Sequence, residues 1–313
     1  MLVRLLALCL LSISTSASAS SGKVALTFDD LPALTILPDQ PYVDYLNAMI
    51  LYKLRRHHVP AIGFVNEGKI EELVSDHQVA DLAAWLAAGM ELGNHTYSHP
   101  SLNAVGAKAY IADIARGEVV TKALLRAHMQ SMRYFRAPYL ETGATPHIKQ
   151  EVAAWLAAHG YRMAPVTIDA DDWEFAEPYD DALARRDEVE QRRIRAEYLA
   201  YTKVRIGWAQ ASARALFGRA ISHVMLLHCT RLNADTLDDV LRLLRKAHLK
   251  PVSLSSALKD PAYQRADTYV GTDGIDWLER WANGRNIDLP DSGNEDPPAD
   301  IQAAYDRVDN DRR

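Results

Sequence analysis

Cysteine is almost absent from this chain of 313 residues, which contains only Cys9 and Cys229. Cys9 lies in an apolar N-terminal segment that we expect to be cleaved from the mature protein. A mature chain with a single cysteine cannot form an intramolecular disulfide, which excludes a disulfide-stapled fold. We interpret Cys229 as a buried thiol beside the end of a strand rather than as a nucleophile.

An excess of positive charge is also missing. The chain has 35 Lys and Arg against 41 Asp and Glu, which gives a formal net charge of −6 and a pI of about 6.0. This balance gives no reason to expect a nucleic acid as a partner. Hydrophobic residues make up 48% of the chain, enough for one large α/β domain or for two smaller domains. The sequence does not predict the oligomeric state.

Long apolar runs are confined to the N-terminus. Arg4, the apolar segment Leu5–Ile13 and the small residues Ala17-Ser18-Ala19 predict a secretory signal peptide over residues 1–19. An uncleaved anchor is the alternative, but the run is short for crossing a bilayer. We therefore expect an exported protein without a stable membrane span after cleavage. The absence of disulfides and the slight acidity favour the bacterial periplasm, with secretion outside the cell as the alternative.

The rest of the chain alternates short apolar runs with helical stretches, which predicts an α/β fold with parallel strands. About seven strands are predicted, at Val24–Phe28, Pro60–Val65, Met90–Gly93, Arg133–Ala137, Arg162–Ile168, Val224–Leu227 and Pro251–Leu254. The pattern fits a barrel or an open parallel sheet. Both folds build their active sites at the carboxyl ends of the strands, where the polar motifs of this chain occur.

Three other segments carry specific predictions. Ala107–Met129 is predicted as one long amphipathic helix. Residues 180–219 are predicted as a helical insertion, for which plain packing is favoured over a lid above the site. Residues 286–313 are rich in Asp, Asn, Pro and Gly and are predicted as a flexible tail. The folded domain is therefore placed at residues 20–285.

Two short motifs predict a metal site. His95 and His99 are four residues apart, so on one face of a helical turn both imidazoles could reach one ion. The pair Asp29-Asp30 follows an apolar strand, so that one carboxylate could bind the ion while the other takes a proton. Two histidines and one carboxylate leave coordination positions open, as in catalytic sites. The alternatives are a helix-capping polar loop for the histidines and a solvated turn for the aspartates.

Further polar residues follow other predicted strands. Arg136 could orient a carboxylate, or it could form a surface salt bridge. Asp169, Asp172 and Trp173 lie in an acidic segment that could equally be a plain loop. His228 ends an apolar strand and could be a satisfied core group; in a cleft it could serve as a general acid, with an aspartate fixing its tautomer.

Taken together, these segments resemble the polysaccharide deacetylases of the NodB-homology type, carbohydrate esterase family four. The five motifs of that family occur in order, at Thr27-Phe28-Asp29-Asp30, His95-Thr96-Tyr97-Ser98-His99, Arg136-Ala137-Pro138-Tyr139, Asp169-Ala170-Asp171-Asp172-Trp173 and Leu226-Leu227-His228. They span about Val24 to Leu258. The resemblance implies a distorted (β/α) barrel of about seven parallel strands, with the helical insertion before the last catalytic strand.

The resemblance also implies a metal centre and its base. Asp30, His95 and His99 would bind one divalent ion, usually zinc, with cobalt or another divalent ion as alternatives. Asp29 would be the general base that takes a proton from the attacking water. Arg136 would hold Asp29 in place.

The remaining implied roles concern the leaving group and the substrate. His228 would protonate the departing amine, and Asp172 would orient His228. The backbone N–H of Tyr139 would help to stabilise the oxyanion. Trp173 and Leu227 would form the wall of the pocket around the acetyl methyl group.

The predicted function is removal of N-acetyl groups from a glycan that contains N-acetylglucosamine, such as peptidoglycan or chitin oligomers. The alternatives are an O-acetyl esterase of the xylan type, a non-glycan amidase on the same site, and an inactive glycan-binding protein. Intact motifs argue against the last. Two turns depart from the family pattern, which has glycine where this chain has Leu31 and Leu140. These bulkier residues should reshape the cleft, which affects the substrate more than the chemistry.

Overall fold

A computed structural model of the protein describes residues 22–37 and 39–309. The predicted signal peptide at 1–19, with Cys9, lies outside the described residues. Cys229 is buried, as predicted. Among the helices of the described residues, none is long and apolar enough to cross a membrane.

The described residues contain a parallel sheet at the centre of the fold. Its seven strands are β1 Gly22–Leu31, β2 Ala61–Val65, β3 Glu91–Asn94, β4 Tyr134–Phe135, β5 Arg162–Met163, β6 Ser222–His228 and β7 Leu249–Pro251. The order across the sheet is β5-β4-β3-β2-β1-β6, and β7 pairs with the start of β1. Every observed pairing is parallel, which confirms the predicted α/β class.

The sheet curls until its two ends meet across one segment. Ala164, just after β5, donates its N–H to the carbonyl of Phe135 in β4. Four residues later, Ile168 forms a parallel bridge with Met225 of β6. The predicted strand Arg162–Ile168 is thus a two-residue strand followed by a bridge, because its two ends pair with different strands. This closure gives the barrel-like shape that the resemblance implies.

Helices cover the outside of the sheet. They are α1 Gln40–Arg56, α2 Ser75–Ala87, α3 Leu102–Arg116, α4 Val119–Ala127, α5 Pro146–Ala158, α6 Asp172–Ala184, α7 Glu188–Phe217, α8 Arg231–Lys246, α9 Leu254–Ala257, α10 Trp277–Asn283 and α11 Ala299–Val308. Short 3₁₀ helices occur at Glu67–Glu71, Pro138–Leu140 and Pro261–Gln264. Several of the α-helices begin at a polar N-cap residue. The side chain of Ser101 accepts a backbone N–H from the first turn of α3, and that of Thr230 accepts one from the first turn of α8.

Alternation along β1 separates the core into two layers. Val24, Leu26 and Phe28 point outward into the large apolar cluster shared with the helices. Ala25 points inward, into a smaller cluster that fills the barrel. Since neighbouring residues of a strand face opposite sides, Thr27 and Asp29 follow Ala25 on the inner face. The inner face of β1 therefore carries polar side chains at the carboxyl end of the barrel interior.

The single helix predicted at Ala107–Met129 is wrong. The structure has two helices, α3 and α4, separated at Gly117 and Glu118. Gly117 is required because the loop after β3 lies against it: a Cβ there would be 2.3 Å from the carbonyl carbon of Thr96. Amphipathic spacing alone does not predict such a break, which depends on a contact distant in sequence.

The two segments predicted at the periphery are packed structures. Residues 180–219 comprise the end of α6 and the whole of α7, which buries Ile194 and Tyr198 against its neighbours. The Tyr198 hydroxyl donates to Asn233 of α8 at 2.9 Å. The predicted flexible tail differs from the structure, where α11 buries Ile301 and Tyr305 and packs on α6. Its i, i+3, i+4 apolar spacing outweighs its polar composition.

We predict that Gly117→Ala destabilises the protein by about 1–3 kcal/mol, because the added methyl group meets backbone atoms that cannot rotate away. Gly207→Ala in α7 is the matched control, since no atom lies within 4 Å of its added Cβ. That variant should be neutral or stabilised by up to about 1 kcal/mol. Urea denaturation measures both changes. Equal stability of the two variants would contradict the proposed contact with the loop after β3.

Candidate active site

Most of the predicted site residues meet in one cavity of about 310 Å³ at the carboxyl ends of the strands. Those that line it are Asp29, Asp30, His95, His99, Tyr139, Trp173 and His228. Arg136 and Asp172 lie behind the cavity wall and contact residues that line it. Leu227 is the one predicted site residue that neither lines the cavity nor supports a polar member of it.

Both aspartates of the first motif face the cavity, although consecutive strand residues normally point to opposite sides. The register between β1 and β2 shifts between Phe28 and Leu31, which marks a bulge. Asp30 has a left-handed backbone with φ of 61°. The bulge therefore turns Asp30 to the same side as Asp29, so that two carboxylates with different partners share one site.

Asp30 lies close to both histidines. Its Oδ1 is 3.6 Å from Nε2 of His95 and 3.7 Å from Nε2 of His99. One ligand atom from each of the three residues lies within 4.8 Å of the others. The predicted helical turn is wrong: residues 95–101 form a loop after β3, in which Thr96 and His99 have left-handed φ values of 69° and 54°. The loop, rather than a helical face, brings the two imidazoles together.

The loop is held by hydrogen bonds from its backbone N–H groups to side-chain oxygens. Asp113 of α3 accepts the N–H groups of Tyr97 and Ser98, each at 2.9 Å. Thr96 accepts the N–H of His99 at 3.0 Å. These bonds fix the strained conformation of the loop, and with it the separation of the two imidazoles.

The donor set of Asp30, His95 and His99 fits a divalent ion. Nδ1 of His95 lies 2.8 Å from the carbonyl of Arg136, which must accept its proton, so Nε2 carries a free lone pair toward Asp30. Burial lowers the pKa of both histidines to about 4, which keeps them in the neutral, ligating form. Burial opposes the charge of Asp30, yet His99 and Lys69 hold the pKa of this carboxyl below its ordinary value. Its Oδ1 is buried without a hydrogen-bond donor, the condition expected of an oxygen that ligates a cation.

Asp29 is held by a fully buried arginine. Nη1 of Arg136 lies 2.9 Å and 3.2 Å from the two carboxylate oxygens of Asp29. The same guanidinium donates to the Thr27 hydroxyl at 3.0 Å and to the carbonyl of Ala164 at 2.9 Å. Burial raises the pKa of Asp29 to about 6 against the opposing effect of Arg136. A carboxylate with this pKa is ionised at neutral pH and is also basic enough to accept a proton.

His228 and Asp172 form a second dyad. Nδ1 of His228 lies 2.7 Å from Asp172 Oδ1, and the His228 backbone N–H donates to Asp172 Oδ2 at 2.7 Å. Burial would lower the pKa of His228, but Asp172 raises it to about 10, so the imidazole is protonated at neutral pH. Asn233 of α8 also donates to Asp172, a contact that the sequence motifs do not predict. Engagement of Nδ1 leaves Nε2 of His228 for the cavity.

The predicted role of Leu227 is wrong. Leu227 is fully buried in the apolar layer between the sheet and the helices. Leu226 lines the cavity instead and packs with Leu140 and Val166. The reason is the two-residue period of β6: Leu226 and His228 share the inner face, whereas Leu227 faces outward.

Aromatic side chains border the cavity. Tyr139 is 56% exposed and its ring lies 4.6 Å from the ring of His99. The ring of Trp173 packs edge-on against Tyr305 of α11, with 5.0 Å between centroids. Tyr305 and Gly274 both line the cavity but are absent from the sequence prediction. The Ile301, Ala304 and Tyr305 spacing of α11 could have revealed the helix, although not its place beside Trp173.

Part of the chain is similar to known polysaccharide deacetylases. Residues 16–164 match the polysaccharide deacetylase family model. The chain is 30% identical over 158 residues to a peptidoglycan-N-acetylglucosamine deacetylase of Bacillus cereus, covering 50% of this chain and 48% of that protein. It is 29% identical over 157 residues to a chitin deacetylase of Colletotrichum lindemuthianum, covering 50% and 55%. The chain thus spans about half the length of the curated relatives it matches.

Solved structures share the fold. A polysaccharide deacetylase from Bacillus cereus superposes with a TM-score of 0.51 at 18% identity, covering 74% of this chain and 91% of that one. A CE4-family pseudoenzyme from Bacillus anthracis gives the same TM-score and identity, covering 77% and 66%. Because an enzyme and a pseudoenzyme are equally similar, the fold does not decide activity, and the side chains must. Residues 16–164, which contain both aspartates, both histidines and Arg136, are thus the part of the chain that matches the polysaccharide deacetylase family.

Proposed function

We propose that the protein is a metal-dependent hydrolase that removes N-acetyl groups from a glycan containing N-acetylglucosamine. The observation that carries the proposal is the presence of three units in one cavity: the Asp30, His95 and His99 cluster, a carboxylate held by arginine, and a histidine held by aspartate. The similarity to proteins named as peptidoglycan and chitin deacetylases supports the choice of substrate class.

The proposed chemistry divides the work between these units. A divalent ion held by Asp30, His95 and His99, with zinc as the first choice and cobalt as an alternative, would supply the Lewis acidity that polarises the acetyl carbonyl and makes water more acidic. Asp29 takes a proton from water as the water oxygen bonds to the carbonyl carbon. His228 gives a proton to the nitrogen as the carbon–nitrogen bond breaks, which releases acetate and a free amine.

The His228–Asp172 dyad favours amide over ester hydrolysis. An amine is a poor leaving group unless its nitrogen is protonated, whereas an alkoxide leaves with less assistance. Asp172 keeps His228 protonated at neutral pH, as amide cleavage requires. The same dyad and the intact Asp29–Arg136 pair also argue against an inactive binding protein.

Export, which rests on the signal peptide predicted over residues 1–19, would bring the enzyme to peptidoglycan or to extracellular chitin.

The direct test is acetate release. Purified mature protein supplied with zinc or cobalt should release acetate from N-acetylglucosamine oligomers, and a chelator should abolish the release. Acetylated xylan tested in parallel separates amide from ester activity. Binding of the oligomers without acetate release under any metal would instead identify a glycan-binding protein.

We predict that Asp30→Ala and His95→Ala each lose the metal. Each variant removes one of three ligands. Loss of a hydrogen-bond partner that only supports a ligand lowers metal affinity by about 10- to 100-fold, so loss of the ligand itself should lower it further. Zinc titration by calorimetry and metal content by mass spectrometry measure the change. Cys229→Ala, which alters a buried thiol outside the cavity, is a control for general damage. Metal binding retained in both ligand variants would remove the metal assignment.

We predict that Asp29→Asn keeps the metal and loses turnover. The amide retains the shape of the side chain but cannot accept the proton, so kcat should fall by about 100- to 10,000-fold. Acetate release under saturating metal gives kcat, and metal content is measured on the same sample. Loss of bound metal in this variant would show that Asp29 is itself a ligand.

We predict that Asp172→Asn moves the alkaline limit of activity to lower pH. In the native protein the pKa of His228 is raised to about 10, so the acid stays protonated until the pH passes that value. Without the Asp172 charge the pKa of His228 falls, and the protonated form is lost at lower pH. The pH profile of kcat/KM measures the shift. Asp238→Asn, which changes a carboxylate paired with Arg56 on the surface, should leave the profile unchanged.

A further inference from the structure

The segment that follows β7 builds part of the cavity wall. Its Gly274 and Tyr305 line the cavity together with the loops that follow the strands. Both residues lie outside the stretch 16–164 that matches the family model. The walls of this site are therefore assembled from two parts of the chain, of which only the first carries the metal cluster and the base.

The first wall stands over the loop that follows β4. Gly274 lies directly on that loop, since a Cβ at this position would be 1.6 Å from the carbonyl oxygen of Tyr139. Arg280 of α10 donates to the Thr142 hydroxyl at 2.7 Å. Asn103 of α3 donates to the carbonyl of Thr272 at 3.0 Å. These contacts hold the segment against the cavity as a fixed wall.

The second wall stands beside α6. Tyr305 is only 7% exposed, and its ring packs edge-on against Trp173. The connection that leads to α11 is fixed to α7, because the Tyr201 hydroxyl donates to the carbonyl of Glu295 at 2.8 Å and Arg205 to that of Gly293 at 3.3 Å. Helix α7 thus anchors the second wall instead of covering the site.

A third border follows β1. Leu34 lines the cavity, and its N–H donates to the carbonyl of Cys229 at 2.9 Å. The neighbouring Thr35 hydroxyl donates to Asp180 of α6. The cavity is therefore bordered on three sides, after β1, after β4 and beside α6. A glycan that binds through an internal sugar residue needs open space on two sides of the reacting ring, because the chain continues in both directions.

The volume agrees with these borders. At about 310 Å³ the cavity lies at the lower limit of the about 300–1,000 Å³ found for pockets that enclose a drug-sized ligand. That space suits one pyranose ring with its acetamido group, bordered by the aromatic rings of Trp173 and Tyr305. Several consecutive rings would not fit.

We propose that the site accepts a short N-acetylated saccharide or the end residue of a glycan chain, and that the segment after β7 imposes this choice through Tyr305 and Gly274. The proposal rests on the proposed deacetylase function and specifies its substrate. Tyr305 is a specificity-determining residue in this scheme, not a member of the proton-transfer machinery.

The test maps deacetylation along a β-1,4-linked pentamer of N-acetylglucosamine. Zinc-loaded native protein should give products deacetylated at one terminal residue, as located by fragment mass spectrometry. Tyr305→Ala removes part of the wall and should add internal products, whereas Tyr305→Phe keeps the ring and should keep the terminal pattern. Tyr52→Ala, an exposed tyrosine outside the cavity, should match the native pattern. Internal deacetylation by the native protein would overturn the proposal, whether or not the alanine variant folds.

A binding measurement separates this proposal from the proposed function. With the Asp29→Asn variant, calorimetry should give dissociation constants for the dimer and the pentamer that agree within about threefold, since further rings make no contacts. A pentamer that binds tenfold or more tightly than the dimer would indicate an extended groove and overturn the end-residue proposal. Failure of every oligomer both to bind and to be deacetylated would overturn the deacetylase function itself.

Discussion

The buried guanidinium of Arg136 is the interaction on which the site depends. It lies inside the curled sheet and donates to Asp29 and Thr27 of β1 and to the carbonyl of Ala164 after β5. The carbonyl of Arg136 accepts the Nδ1 proton of His95. One residue therefore fixes the proposed base, the tautomer of a candidate metal ligand and the closing segment of the sheet. Burying such a charge costs several kcal/mol that its partner must offset, so the pair defines position more than it adds stability.

Strand geometry explains which predictions from the sequence succeeded. Apolar runs located the parallel strands, and the rule that sites form at their carboxyl ends brought residues as distant as Asp29 and His228 together. The errors have two sources, the assignment of a residue to the wrong face of a strand and contacts between residues distant in sequence. The choice of Leu227 over Leu226 is a one-residue error in a two-residue period. The break between α3 and α4 at Gly117, which the sequence pattern did not predict, depends on the contact of Gly117 with Thr96. Helical periodicity carries no information about that contact.

The same limit applies to Tyr305. Polar composition after residue 286 predicts a tail, and nothing in that composition reveals that α11 lies on α6 beside Trp173. The histidine pair is a different case. Both imidazoles line one cavity, but a strained loop with two left-handed residues provides the geometry that a helical turn was expected to give. Motifs specified which side chains meet, and tertiary contacts specified how.

The proposed base, Asp29, and the proposed acid, His228, are also coupled through space. His228 lowers the pKa of Asp29, and Asp29 in turn contributes to the raised pKa of His228. Each charge therefore favours the other, so at neutral pH the stable combination is an ionised Asp29 with a protonated His228. Amide hydrolysis needs this combination at the start of the reaction, a base ready to accept and an acid ready to donate. Arg136 and Asp172 lie behind these two residues, and each stabilises the charged form of its neighbour. Isolated charges are costly in such low-dielectric surroundings. Because each charge here has a partner of opposite sign, the same surroundings stabilise the combination of ionised Asp29 and protonated His228.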